Sequence, residues 1–401
     1  MNMVDIARRE FLAGAAAAAV MLTGQKLGAQ ETQKQEGIIM TQKSKEHKGP
    51  FSIKVPFLFG YTGITFSGAQ DAKTLRQILE WYTHRGIASK DGPPAVLEIF
   101  MGFGDGQINP KESDKVNIAR YSYIRPLFEE FNVVGSALIY PHEGSNLDMI
   151  SNDRAKRLAS QRYVELVSKV AYEAFGCLQS IGPLAAEAVR AAKRTNGTYA
   201  LMNAVPHLRE AAEYVRKLDS NYVIAPEAIR WQESVVSKVD QISQLLTTVK
   251  HPNLKRHADT AHGREEQKYQ GPDGMVQYIN DIIEDAATVH ISEHADVTEA
   301  MLAGQEEYDP RNRAALEPDG HVGGQLDGIM YALIEAQKKG LRVTLETPTA
   351  AMRKNLLRGE FPVGLDGASA LTLNREAYAT AARCLTHVSL AVDNAAKRLN
   401  R

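Results

Sequence analysis

Four short apolar runs between residues 221 and 347 each end in a side chain that can hold a divalent metal ion or move a proton. Tyr222 to Glu227 ends in a carboxylate, and Leu254 to Asp259 ends in a carboxylate followed by Thr260, Ala261 and His262. Ala287 to His290 ends in an imidazole, and Leu341 to Glu346 in a carboxylate. Two glutamates, one aspartate and one histidine form an oxygen-rich, hard-to-borderline donor set. Such a set suits one divalent ion per chain, with Mn, Mg or Co favoured and Zn admissible, whereas a structural zinc site would favour cysteines. Taken singly, a carboxylate at a strand end is an ordinary helix N-cap. Four suitable residues at successive strand ends point to convergence.

Convergence needs a scaffold that delivers strand ends to one place. Helix-like segments separate the four runs, and strand, functional residue, helix and strand again is the order of a parallel α/β fold, whose side chains meet at the carboxyl ends of the strands. The same alternation extends upstream. Strands are predicted at Phe51 to Phe59, Ala95 to Phe100, Val133 to Tyr140 and, more weakly, Gly176 to Gly182. The remaining four end at Glu227, Asp259, His290 and Glu346. Helices are predicted from Thr74 to Arg85, after the capping residues Ser151 to Asp153, from Ala185 to Leu218 with a break at Pro206, and around Val235 to Val249. Two further helices carry Met275 to Ile283 and Leu326 to Leu333, the latter ending at Lys338, Lys339 and Gly340. Eight such repeats predict a TIM (β/α)8 barrel. An open doubly wound sheet would want a G-x-G-x-x-G turn after its first strand; Gly102, Gly104 and Gly106 follow the second and lack the final spacing.

At 401 residues, 44% hydrophobic and 24% charged, the chain has an ordinary globular composition. Its 47 basic and 48 acidic residues leave a formal net charge of −1, so no basic surplus points to nucleic acid. Residues 1–29 read as a Tat-type signal peptide: Arg8 and Arg9 precede Phe11 and Leu12 and an alanine-rich apolar run to Leu22, too short to span a bilayer. Residues 30–49 are a polar linker, and 50–401 a single barrel domain. These features predict a periplasmic protein. Cys177 and Cys384 are too few for a disulfide framework and are expected as buried free thiols.

The residues also carry a family resemblance. Asp259-Thr260-Ala261-His262 resembles the D-T-x-H motif, and His290-Ile291-Ser292-Glu293 the H-x-x-E motif, of the sugar phosphate isomerase/epimerase superfamily, the xylose-isomerase-like TIM barrels that include D-tagatose 3-epimerase. Glu227 and Glu233 resemble the family's strand-five segment and Leu345-Glu346 its final L-E, with weaker likeness back through Ile181-Gly182-Pro183 and Val96-Leu97-Glu98 to about Phe51. The resemblance implies that Glu227, Asp259, His290 and Glu346 are metal ligands and that His262 and Glu293 stand near the substrate. The asparagine and arginine that the family places after its first glutamate are replaced by Arg230 and Trp231. Arg230, and His142 after the third strand, are further substrate-contact candidates.

A divalent ion beside a carboxylate makes a C–H next to an oxygen acidic and removable. Strands five and eight are expected on opposite sides of the barrel mouth, so that Glu227 and Glu346 address the two faces of one carbon. The leading reading is an isomerase or epimerase acting on a sugar, keto-sugar or polyol. A lyase on the same site, such as a dehydratase or a cleaver of oxidised glycosides, and a non-catalytic periplasmic sugar-binding barrel are the alternatives. An endonuclease IV type of enzyme would need more histidine ligands and a basic face. The expected partners are a small carbohydrate, the Tat translocon during export and, in a homo-oligomer, copies of the same chain. No nucleic acid and no stable membrane span are expected. The long connection from Asp296 to Gly324, which contains His321, is read either as a lid or substrate-binding loop or as a surface insertion.

Overall fold

The computed structural model describes residues 49–62, 71–102, 107–140, 147–184, 197–228, 236, 238–294, 313–314, 316–347 and 367–400. Eight parallel strands run through them: β1 Leu58–Tyr61, β2 Ala95–Gly102, β3 Val133–Tyr140, β4 Gln179–Gly182, β5 Val223–Pro226, β6 Arg256–Asp259, β7 Ala286–Ile291 and β8 Arg342–Leu345. Their hydrogen-bonded order is β5-β4-β3-β2-β1-β8-β7-β6. The two ends of that series meet, because Ile224 N donates to Asn253 O at 2.8 Å, Lys255 N donates to Ile224 O at 2.9 Å, and bridges pair Ile224 with Leu254 and Glu227 with His257. The sheet is therefore a ring, as the predicted (β/α)8 barrel requires. A two-residue antiparallel ladder, Glu293–His294 with Arg313–Ala314, lies outside it.

The helical layer consists of α1 Ala72–His84, α2 Asp114–Tyr121, α3 Ile124–Phe131, α4 Arg154–Phe175, α5 Gly197–Leu218, α6 Val239–Val249, the short α7 Thr260–Arg264, α8 Gly274–Ile282, α9 Leu326–Glu335 and α10 Gly367–Leu399. The longer helices bury apolar stripes. In α1 this is Leu75, Ile78, Leu79 and Tyr82, and in α10 it is Ala377, Ala381, Cys384, Val388, Val392 and Ala395, all buried. Each large apolar side chain removed from water contributes about 1.5–3 kcal/mol. Asp153 caps α4 as its position predicts, accepting from Ala155 N at 2.8 Å. Cys177 and Cys384 are buried free thiols, and among the described residues no helix is long and apolar enough to cross a membrane.

Several boundaries differ from the sequence expectation for local reasons. The first strand pairs only from Leu58, because Pro56 has no N–H to give to a ladder; Phe51 instead folds back against Phe57 and Phe59, with ring centroids 6.4 and 4.9 Å apart. The fourth begins at Gln179, since Gly176 at φ 70° ends α4 in the left-handed region. Pro206 does not break α5, which runs through it. The bond it forgoes is to the carbonyl of Met202, a residue 44% exposed, where water can take its place. Helices α2, α3 and the short α7 have no counterpart in the sequence reading, and α10 had one only in the helix-like run around Cys384.

Candidate metal centre

Period-two alternation decides what faces the barrel interior. On β6, Arg256 points outward, donating to Val239 O and Ser243 Oγ of α6 and pairing with Asp285 at 3.1 Å. His257 and Asp259 are thereby turned inward, and both are buried. The same rule brings Thr288 and His290 of β7 to the interior, together with Thr344 of β8 and Glu346 just past its end, and Ala225 of β5 and Glu227 just past its end. From β2 to β5 the interior holds an apolar cluster of Phe100, Leu138, Ile181 and Ala225 beside the buried polar side chains Glu98, Ser136 and Gln179.

Asp259 serves two purposes at once. Its Oδ1 caps α7, accepting from Ala261 N at 2.7 Å and from the Ser292 hydroxyl, while its Oδ2 lies 3.7 Å from His290 Nδ1. Thr260 Oγ1 donates to Ser292 O at 2.7 Å and accepts from Ser292 N at 2.9 Å, locking the end of β6 to the end of β7. His290 is the hub. Its Nδ1 is 2.8 Å from Glu346 Oε2, and its Nε2 is 2.9 and 3.1 Å from the two oxygens of Glu98 on β2. Glu227 faces two more imidazoles, His257 Nδ1 at 3.5 Å and His262 Nε2 at 3.6 Å, and His262 Nδ1 is held by Glu265 at 2.8 Å.

These placements shift protonation. Burial, reinforced by Asp259 and Glu346, pushes the Glu227 carboxyl up to about 8 despite the opposing pull of His262 and His290. Burial alone would lower the His290 imidazole, but the carboxylates of Glu98, Asp259 and Glu346 hold it well above the ordinary histidine value. In the metal-free protein both shifts carry the same sign. Between pH 4.5 and 8 folded Glu227 keeps a proton that the unfolded chain has lost, and the His290 contribution, complete below pH 6.5, fades as pH rises through its folded value. The metal-free protein is expected to lose stability from pH 6 to pH 9; a urea midpoint that is flat or rising over that range contradicts these assignments.

The donor set fits a divalent cation. Asp259, His290 and Glu346 each offer one ligand atom, and those atoms lie within 4.8 Å of one another; the same holds for Glu227, Asp259 and His262, and for Glu227, His257 and His290. Buried carboxylates are costly without compensating charge, and Glu98, Glu227, Asp259 and Glu346 are all buried here. Oxygen and imidazole donors without sulfur match the metals expected from the sequence.

The four predicted ligands and His262 are thus brought together. Glu293 stands beyond the end of β7, where its carboxylate takes Arg264 at 3.0 Å and the backbone amides of Val322 and Gly323 at 2.6 and 3.0 Å. Those bonds tie down the end of the long connection after β7, and a Cβ on Gly320 would collide with the same carboxylate. His321 lies in this tied segment, its Nε2 3.3 Å from Tyr269 O. His142, Arg230, Glu233 and most of the Asp296–Gly324 connection lie outside the described residues. Strands β5 and β8 are not opposite. They stand three places apart, with β6 and β7 between them, so the site is an arc of consecutive strand ends. His257 and Glu265 were missed by the sequence reading, and Glu98 entered it only within the Val96-Leu97-Glu98 likeness, without a role; His257 stands two residues before Asp259, the spacing that puts both on one strand face.

No protein-family model matches the sequence, and no curated protein matches it. Solved structures do. An L-ribulose 3-epimerase superposes with a TM-score of 0.57 at 14% identity, covering 86% of this chain and 97% of that one. The chain shares its barrel fold. A D-psicose 3-epimerase from Clostridium cellulolyticum H10, solved with D-tagatose, gives 0.54 at 14% identity over 83% and 99% of the two chains. The IOLI protein, solved with a zinc atom, gives 0.54 at 14% over 83% and 98%.

Proposed function

We propose that this chain is a divalent-metal-dependent isomerase or epimerase of the sugar phosphate isomerase/epimerase superfamily, acting on a free sugar, keto-sugar or polyol. The observation that carries the reading is the convergence of Glu227, Asp259, His290 and Glu346 at the carboxyl ends of β5 to β8. The sugar 3-epimerases of the same fold support it.

In this reading Glu227, Asp259, His290 and Glu346 hold the ion, with Mn, Mg, Co or Zn as the metal. When bound, a divalent ion polarises a substrate oxygen and stabilises the charge that develops as the adjacent C–H is deprotonated. Glu227 and Glu346 are the bases. They approach the centre from its two ends, Glu227 beside His257 and His262 and Glu346 beside His290. One carboxylate takes the proton from a carbon and the other returns one from the opposite side, which inverts that carbon. Return to the neighbouring carbon gives aldose–ketose isomerisation instead. His262, oriented by Glu265, aims Nε2 at Glu227 and is suited to hold a substrate hydroxyl beside it. His142 and Arg230 are proposed as further substrate contacts.

Incubating the manganese-loaded protein with a panel of free ketoses, aldoses and polyols, and reading products by chromatography, tests this directly. Conversion to an epimer or isomer is expected, and it should vanish with EDTA. A second product or an unsaturated one would make the enzyme a lyase, and tight sugar retention without turnover would make it a binding protein.

We further propose export by the twin-arginine route, on the Arg8-Arg9 pair and the apolar run behind it. Changing both arginines to lysine should leave the full-length protein in the cytoplasm of its host. Unchanged fractionation would refute export by that route.

A further inference from the structure

We propose that Glu98 is a positioning residue that dedicates Nε2 of His290 to a hydrogen bond and so reserves Nδ1 for the metal ion. The proposal rests on the metal reading given above. Glu98 comes from the middle of β2, four residues short of its end, and is fully buried. Its Oε1 accepts from Thr344 Oγ1 at 2.9 Å, and its two oxygens stand 3.1 and 2.9 Å from His290 Nε2. Three strands are thereby linked across the interior: β2, β7 and β8. On β1, the strand between β2 and β8, Gly60 stands at the level of Thr344, and a Cβ there would run into the Val96 carbonyl.

Both ring nitrogens face carboxylates, so in the metal-free protein each is a donor; when an ion displaces the hydrogen of one, the Glu98 carboxylate, which only accepts, keeps the hydrogen of Nε2. The other ring nitrogen, Nδ1, faces Glu346 Oε2 at 2.8 Å and Asp259 Oδ2 at 3.7 Å, which are the remaining oxygen donors of that ligand group. Only one of the two ring orientations therefore gives both a lone pair to the ion and a hydrogen to Glu98. His257 braces this orientation edge to face, its ring centroid 4.0 Å from that of His290 at 71°. Partners of this kind, when removed, typically cost about 10–100-fold in metal affinity.

The test is nitrogen NMR of protein labelled with 15N-histidine and loaded with zinc, which is diamagnetic, together with a zinc competition titration. In the unmodified protein, His290 Nε2 should carry a directly attached hydrogen and Nδ1 should show the shift of a metal-bound nitrogen. In Glu98→Ala the two assignments should mix or exchange and zinc affinity should fall about 10–100-fold; Glu98→Gln, which keeps one acceptor oxygen, should recover much of both. A hydrogen on Nδ1 with Nε2 on zinc in the unmodified protein overturns the proposal, and this reading needs no variant to fold. An alanine variant with unchanged assignments and affinity overturns it as well. Failure of the unmodified protein to take up zinc, manganese or cobalt overturns the metal reading and this proposal with it, and is seen separately as absence of metal.

Discussion

Glu227→Gln and Glu346→Gln are each expected to lower turnover about 10²-fold or more, because a neutral amide of nearly the same size keeps the contacts but cannot take a proton. Each glutamate is also proposed as a ligand, so the comparison belongs at saturating metal. The two variants should differ in kind. Glu227 stands with His257 and His262, Glu346 with His290, so each addresses a different end of the centre. If they work on opposite faces of one carbon, each variant should still exchange that hydrogen with solvent from one epimer while failing to complete the inversion. Equal loss of exchange from both epimers would assign the chemistry to a single base.

His290→Ala should abolish tight metal binding, because it removes the one imidazole that stands with Asp259 and Glu346; in the metal-free protein it also leaves Asp259, Glu346 and Glu98 without the group they all face, which in comparable buried pairs costs the fold about 3–5 kcal/mol. Asp259→Asn is the gentler test. The amide oxygen can still cap α7 through Ala261 N while the ligand charge is gone, so the fold should survive and affinity for the ion should fall by two orders of magnitude or more, about 3 kcal/mol. Competition with a chelating dye reads both. Retention of about one ion per chain by the histidine variant would remove His290 from the ligands.

The arc from Glu227 to Glu346 was legible because Glu227, His290 and Glu346 each close an apolar run, which in a parallel sheet has one end where a polar side chain is tolerated, and because Asp259 opens Asp259-Thr260-Ala261-His262. Glu98 was not legible on that rule. It lies in the middle of Ala95–Gly102, every residue of which is buried, and its partners His290 and Thr344 come from β7 and β8, far away in the chain. His257 was hidden in Lys255-Arg256-His257, which reads as a polar patch until Arg256 is seen to leave the barrel for Asp285. The role of Glu293 depended on where the chain returns some 30 residues later, with the Val322 and Gly323 amides, and that return is tertiary. The ring order places β6 and β7 between β5 and β8, so the opposed positions expected for Glu227 and Glu346 become two ends of one arc.

The central claim is that metal held by this arc lets a carboxylate exchange a carbon-bound hydrogen, and proton NMR in heavy water measures that step. Metal-free protein, reloaded with manganese and then stripped of it before spectra are taken, would be incubated with each free ketose and aldose of the panel. Deuterium is expected at one carbon of the product, at a rate set by the metal added and abolished by EDTA. Complete conversion without solvent deuterium, or conversion that persists with all metal removed, would contradict it.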